Sequence, residues 1–415
     1  MPEVWPILGT MTFGAEGQVK PDAVTTMLRS FVGTSCTKSP AGAMIDTARM
    51  YQQSTPDGDT ESTLGQSFEA CPSLLSKCTI ATKAAKAVAP HFSLSKASVV
   101  EQCNVCLQKL GVDCVDLFYL HAPDIDTDIN DTLDGIAQLH AEGKMKEFGL
   151  SNYPAWAVVD IWYRCKARGM VLPTVYQGMY NVIARDMERE IVPVARQFGI
   201  RLYMYNPLAG GLLTGRYRTL QDISSADSGR FSSDFDNAFG GAFKAGTDVY
   251  RKRYGNKALF EGVNILLESC GLTGSEPAAE PKVIEDKSSM VDGRHVRVVV
   301  SETASTEKSG SMNMANVALR WLIHHSLLRD GDGIILGVSK GTQLVANLAA
   351  WQGGPLPAEQ VEACERAWQA ARPGCESYFR GYGAAPGGIE KFLTTIQAST
   401  KPPEKKQKGN PAPQS

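Results

Sequence analysis

Eight short apolar runs, five of them carrying β-branched residues, recur along this chain, most of them followed by a stretch of helical periodicity. That alternation constrains the fold more than any other feature. The runs are Ile7 to Thr10, Met44 to Thr47, Thr79 to Thr82, Leu117 to His121, Phe148 to Ser151, Thr174 to Gln177, Leu202 to Tyr205 and Ile334 to Gly337. Helical patterns occupy Asp22 to Val32, Glu61 to Ala70, Ser95 to Leu110, Asp131 to Glu142, Ala155 to Arg168, Met187 to Phe198 and Asn313 to His325. Strands alternating with helices build right-handed β-α-β units around a parallel sheet, and eight units favour closure over an open sheet. The expected fold class is therefore α/β, a (β/α)8 TIM barrel with long loops. A length of 415 residues would by itself allow two or three domains; the expected organisation is one barrel over residues 1–398.

Two stretches break the rhythm. Residues 273–310 carry seven acidic and five basic residues, Pro277 and Pro281 around a single β-type run, Val296 to Val300. We read them as a low-complexity insertion in a long loop before the last barrel strand, with a short hairpin as the alternative. Residues 399–415 are Pro- and Lys-rich with almost no apolar side chain, and are expected to be a disordered tail.

With 42 Lys and Arg against 44 Asp and Glu, no global field recruits nucleic acid or an anionic membrane. No run approaches the roughly 18 apolar residues of a membrane span, and the first residues lack a signal-peptide pattern, so a cytoplasmic protein is expected. Ten cysteines scattered over the chain read as reduced thiols. Cys103-x-x-Cys106 has no second pair and lies in a helical pattern, so no metal site is expected.

Active sites of parallel barrels lie at the carboxyl ends of the strands. Those ends are unusually polar here: Asp46 with Tyr51 beyond it, Lys83, His121, Ser151 and Asn152, Gln177, Asn206, and Ser339 with Lys340. Singly, each has a plain structural reading as a helix cap, a surface pair or a satisfied core polar group. Together, Asp46, Tyr51, Lys83 and His121 suit acid/base chemistry on a carbonyl. An ionised Lys83, balanced by Asp46, is expected to lower the Tyr51 pKa from its reference near 10. Tyr51 then serves as general acid, while a neutral His121 orients the carbonyl oxygen. The run Gly337-Val338-Ser339-Lys340 ends a strand at a helix start, where amides, dipole and cation suit a phosphate. No GxGxxG follows any strand, so a Rossmann-type dinucleotide site is not expected.

The segments Met44 to Tyr51, Ile80 to Lys83, Val115 to Asp124 and Phe148 to Tyr153 resemble the aldo-keto reductases. Leu172 to Asn181 and Tyr205 to Gly215 resemble, more narrowly, the aflatoxin-aldehyde reductase branch. The resemblance runs from about Ile7 to Arg380, outside the insertion. It implies NADPH-dependent reduction of aldehydes (semialdehydes, dicarbonyls, aromatic aldehydes), with Asp46, Tyr51, Lys83 and His121 as the acid/base set. Ser151, Asn152 and Gln177 would hold the nicotinamide carboxamide. Tyr205, Asn206, Pro207, Leu208, Gly210, Gly211, Leu213 and Gly215 would wrap the pyrophosphate of NADPH/NADP+. Gly337, Ser339, Lys340, Gln343, Asn347 and Arg230 would meet its adenosine end. Tyr378 and Arg380 resemble the segment that closes the substrate pocket, and Arg380 could fork onto a substrate carboxylate. Surface pairing is the other reading of Arg380, and Arg251 and Arg253 are weaker candidates for the same pocket. The branch tends to dimerise, which leaves a homodimer open.

Three stretches depart from the family pattern: Ser35 to Ala43 and the loop from Tyr51 to Gly58 are longer, and residues 273–310 are extra. Two other readings stay open at this point. One is an NADPH-binding regulatory or redox-sensing subunit with little turnover; the other makes Lys83 the Schiff-base nucleophile of a barrel aldolase.

Overall fold

The computed structural model describes residues 3–14, 17–34, 42–51, 59–86, 93–232, 246–272, 283–291, 294–300 and 313–381. Eight parallel strands close into a barrel: β1 (Trp5–Gly9), β2 (Ala43–Asp46), β3 (Cys78–Ala84), β4 (Val115–Leu120), β5 (Met145–Ser151), β6 (Pro173–Met179), β7 (Arg201–Tyr205) and, last in the chain, β10 (Gly333–Gly337). β10 lies between β7 and β1, and the seam with β1 runs in register from Trp5 opposite Gly333 to Gly9 opposite Gly337. Each of the eight expected runs is one of these strands.

Helices form the outer shell: α1 (Pro21–Gly33), α2 (Thr60–Ala70), α3 (Lys96–Leu110), α4 (Ile129–Ala141), α5 (Ala155–Ala167), α6 (Ile191–Gln197), α7 (Gly246–Tyr254), α8 (Lys257–Ser269), α9 (Met314–His324), α10 (Gly341–Leu348) and α11 (Ala358–Ala371). Their ends are set by local chemistry. Asp59 caps α2 by accepting from the Ser62 amide at 2.7 Å, and Asn313 caps α9 through the Ala315 and Asn316 amides. The helix expected over Met187 to Phe198 is divided, a 3-10 turn at Asp186–Arg189 preceding α6. Pro193 explains the break, because its ring and missing amide are tolerated only in the first turn of a helix. No helix among the described residues is long and apolar enough to cross a membrane.

Within the insertion at 273–310, residues 283–291 and 294–300 form an antiparallel strand pair, as the hairpin alternative expected, and the rest of the insertion lies outside the described residues. β8 (Val283–Val291) and β9 (Arg294–Val300) pair antiparallel, with Val283 opposite Val300 and Val291 opposite Arg294. β-branched residues on both arms favour extended backbone. The tail at 399–415 lies outside the described residues.

Side chains alternate across each strand, which gives the barrel two faces. One set packs outward against the helices. The other fills the interior with Ile7, Ala81, Leu117, Tyr119, Val175, Tyr203 and Ile335. The next inward position on each strand toward its carboxyl end is two residues further on. That step leads from Met44 to Asp46, from Ala81 to Lys83, from Tyr119 to His121, from Val175 to Gln177 and from Tyr203 to Tyr205. The polar mouth is thus the layer directly above the apolar plug.

Candidate active site

Lys83 is wholly buried, and its ammonium donates to Asp46 Oδ1 at 2.5 Å and to the Thr47 carbonyl at 2.7 Å. The other Asp46 oxygen accepts from Gln177 Nε2 at 2.8 Å, so β2, β3 and β6 are joined through one carboxylate. Tyr51 lies half-buried beyond β2, its ring centroid 5.3 Å from Lys83 Nζ and 5.8 Å from the His121 ring, edge to face. The four residues expected to share acid/base chemistry are therefore in one cluster.

Their electrostatics differ from the simple expectation in one respect. Burial, reinforced by Asp46 and Tyr250 and opposed by Arg230 and Arg380, pushes the Tyr51 phenol well above its usual range near 10. The lowering expected from Lys83 is outweighed by burial and by the charge of Asp46, which sits on that ammonium. Tyr51 accordingly keeps its proton at neutral pH, as a donor must. Burial also pulls Lys83 below a lysine's ordinary value, against the upward pull of Asp46 and, more weakly, Glu61. His121 is pushed well below its ordinary range by burial and then by the charges of Lys83 and Arg380. It is a neutral imidazole whose buried Nδ1 has no hydrogen-bond partner among the described residues.

Ser151 and Asn152 end β5 beside this cluster. Asn152 adopts a left-handed φ of 62°, and its amide donates to the His121 carbonyl at 2.8 Å and to Ser151 Oγ at 2.9 Å. Tyr205 donates its hydroxyl to Asn152 Oδ1 at 2.7 Å. Arg380 closes the ring: its amide donates to the Asn152 carbonyl at 2.9 Å and its guanidinium to the Tyr205 oxygen at 3.2 Å. The C-terminal arginine thus lies at the mouth and not on a remote surface.

Beyond β7 the backbone turns through left-handed φ at Asn206 (55°), Ala209 (50°), Gly210 (69°), Gly211 (106°) and Gly215 (80°). Such a path needs glycine at most of these positions; Gly210 and Gly211 are half-exposed, whereas Gly215 is buried. An added Cβ on Gly211 would meet only the Tyr217 ring, at 3.6 Å. Pro207 is buried and Leu208 half-buried on this turn, while Leu213 is wholly buried beneath it and supports the loop from below instead of facing the mouth. Across the opening, Gly337 leads into α10, where a Cβ on Gly341 would meet nothing within 4 Å and one on Gly337 only Arg230 Nη2 at 3.8 Å. Arg230 lies over the Tyr250 ring, 5.5 Å from its centroid. Gln343 Oε1 accepts from the Ser339 amide (2.9 Å), the Ser339 hydroxyl (3.1 Å) and the Lys340 amide (3.3 Å). Gln343 therefore braces the turn at the start of α10, on which Asn347 also lies. Uncovered glycine backbone on two loops, a helix N-terminus and cationic Lys340 and Arg230 form a donor set that fits a long, anionic dinucleotide.

The model of the aldo/keto reductase family matches residues 7–369. The chain belongs to the aldo/keto reductase family. This family member is 38% identical to aflatoxin B1 aldehyde reductase member 2 of Rattus norvegicus over 376 residues, covering 90% of this chain and 87% of the relative. It is 36% identical to the Homo sapiens protein of the same name over 381 residues, 91% of this chain and 90% of that one. Aldo-keto reductase family 7 member A3 of Homo sapiens is 36% identical over 378 residues, 90% and 96% of the two chains. As an aldo/keto reductase the protein is an oxidoreductase that uses a nicotinamide dinucleotide on small carbonyl compounds.

Not every expected contact residue faces the opening of this reductase. Tyr378 is buried, its oxygen accepting from the Ala155 amide at 2.9 Å and its hydroxyl donating to Glu190 at 2.8 Å, so it anchors the C-terminal segment and offers no hydroxyl to substrate. Arg251 turns to the Phe231 carbonyl at 2.8 Å, away from the site, whereas Arg253 is buried and reaches Glu376 at 3.4 Å. Sequence reasoning missed Tyr250, whose hydroxyl donates to Asn206 Oδ1 at 3.2 Å, and Tyr119, whose ring lies 5.6 Å below Lys83 Nζ. The available signal for Tyr119 was its spacing, two residues before His121 on the same strand face.

Proposed function

We propose that this aldo/keto reductase reduces aldehydes to alcohols with NADPH, Tyr51 acting as the general acid. The observation that carries the reading is the Lys83 ammonium, held by Asp46 at 2.5 Å and lying under the Tyr51 ring. NADPH, when bound, supplies the hydride to the carbonyl carbon. Tyr51 delivers its proton to the carbonyl oxygen as negative charge develops there, and the Lys83 cation stabilises the phenolate that remains. Asp46 keeps Lys83 in place. His121, a neutral imidazole, orients the carbonyl oxygen toward Tyr51. Ser151, Asn152 and Gln177 would hold the carboxamide, the Tyr205 to Gly215 turn the pyrophosphate, and Lys340 with Arg230 the 2′-phosphate that distinguishes NADPH from NADH.

The substrates we assign are semialdehydes, dicarbonyls and aromatic aldehydes. Arg380 favours those that carry a carboxylate, since a guanidinium forks onto that group with two parallel hydrogen bonds. The relatives' name speaks of an aldehyde reductase, which supports the reaction type. We place the reaction in the cytoplasm; a homodimer is open to the chain, and light scattering of the purified protein decides it.

The test is NADPH consumption with a carboxylated semialdehyde, a neutral aromatic aldehyde and a dicarbonyl, beside Tyr51→Phe. Loss of nearly all kcat in Tyr51→Phe with unchanged NADPH affinity supports the assignment; undiminished turnover overturns it. Lys340→Ala and Arg230→Ala should weaken NADPH more than NADH, and equal loss for both would remove these residues from the 2′-phosphate.

A further inference from the structure

Directly beneath the Lys83–Asp46 pair lies a second tyrosine. Tyr119 stands opposite Lys83 in the β3–β4 register and is wholly buried. Its ring centroid is 5.6 Å from Lys83 Nζ, while Tyr51 covers the same ammonium from the mouth side at 5.3 Å. The cation is thus held between two aromatic rings, each within the roughly 6 Å over which a ring attracts a cation. Room for the lower ring exists because position 149 on β5 is glycine: a Cβ there would stand 2.4 Å from Tyr119 Cδ1. The rest of that interior layer is aliphatic apart from Tyr203. Without Tyr119, the ammonium would face hydrocarbon from below, an environment that favours loss of its proton. The Tyr119 hydroxyl makes no hydrogen bond of normal geometry among the described residues, although Gln177, which holds Asp46, lies close enough to influence it; the ring is the part of the side chain that faces Lys83.

We propose that Tyr119 is a positioning residue: its ring face attracts the Lys83 ammonium, keeping it charged and seated under Tyr51. The proposal deepens the reading of Tyr51 as proton donor and rests on it. The titratable groups facing Lys83 are Asp46 from β2, Tyr51 from the loop after it, Glu61 from α2, and Tyr119 and His121 from β4. Arg230, Tyr250 and Arg380 reach Tyr51 from the mouth, while Tyr119 feels Asp46 most strongly, then Tyr203 and Arg201 from β7, with Gln177 beside its hydroxyl. Asp46 and Glu61 favour the charged ammonium, His121 is neutral, and Tyr51 and Tyr119 contribute ring faces. Weakening one face should let Lys83 deprotonate at lower pH, and the phenolate then loses its counter-charge.

The experiment measures single-turnover reduction by the NADPH-loaded full chain against pH, so that product release does not mask the step. Wild type is compared with Tyr119→Phe and with Tyr119→pentafluorophenylalanine, which keeps the ring's shape and reverses the potential of its face. Tyr119→Phe should keep the alkaline limb of the profile in place. The fluorinated variant should move that limb down by about one pH unit, with roughly tenfold slower reduction between the two limbs and unchanged NADPH affinity. Both variants are near-isosteric, and equal melting temperatures check that the barrel is intact. An unmoved limb in the fluorinated variant overturns the proposal, and so does an equal shift in Tyr119→Phe, which would assign the effect to the hydroxyl. Tyr51→Phe in the same assay separates the two failures. If it turns over like wild type, the proton-donor reading falls; if it is inactive while the fluorinated limb stays, the role of Tyr119 alone falls.

Discussion

Asp46 accepts from Lys83 on one oxygen and from Gln177 on the other, so removing its charge strands a buried ammonium. Breaking one partner of a buried pair is destabilising by about 3–5 kcal/mol, whereas replacing both partners by apolar side chains of similar volume is often neutral or stabilising. Asp46→Asn should therefore lower the unfolding midpoint in denaturant markedly, while the double variant Asp46→Leu with Lys83→Met should restore it and remain inactive. A double variant as unstable as the single one would mean that the pair contributes net stability. The pH dependence of turnover follows from the same residues. His121 is neutral throughout the neutral range and Tyr51 is protonated, so neither imposes a limb there. Lys83, pulled below its usual value, supplies the alkaline limb: the rate should be level through neutrality and fall as pH rises, beginning below the lysine reference near 10.4. A rate that climbs continuously with pH would show that Tyr51 is needed as phenolate instead.

The clearest prediction for an element concerns β5. Gly149→Ala would drive a Cβ into the Tyr119 ring, and overpacking of that kind costs about 1–3 kcal/mol. Thermal melting should register that loss, together with lower kcat, because the displaced ring lies under Lys83. The strands were legible because their outward and inward positions are both apolar in the middle. Their starts were not, since β4 and β5 begin around Asp116, Lys146 and Glu147, which face the solvated end of the barrel; Asp116 there accepts from the Ile80 amide at 2.8 Å and from Lys146 at 2.7 Å. α8 and α11 were passed over for a related reason. Their contact is made partly by small residues, with Gly262 so close to α11 that a Cβ would lie 2.6 Å from the Ala367 carbonyl oxygen. In the site, Asp46, Lys83, His121 and Gln177 were readable as residues that end apolar runs on one face. The bracing of Tyr378 by Glu190 and of Ser339 by Gln343 was not, because side-chain direction depends on partners that alternation does not reveal.

At the scale of the whole molecule, the eight strands and their helices form a closed barrel to which the β8–β9 pair adds no strand. Replacing residues 273–312 with a short Gly/Ser linker should leave the melting temperature within a few degrees and turnover within about threefold. A large loss of NADPH affinity in that variant would instead assign the insertion to the cofactor. Saturating NADPH should raise the melting temperature more than NADH at equal concentration, since a ligand at about 100 times its Kd stabilises the folded state by about 2.7 kcal/mol. The seam between β1 and β10 has a consequence for how the chain is made. Trp351 donates its indole N–H to the Val4 carbonyl across 347 residues, so the first strand meets its partner only after most of those residues have been made. At about 5–20 residues per second, β1 waits on the order of tens of seconds with one edge unpaired. During that interval the nascent barrel is an open sheet, and the ribosome-bound chain is the stage at which this enzyme is most exposed to strand-edge aggregation.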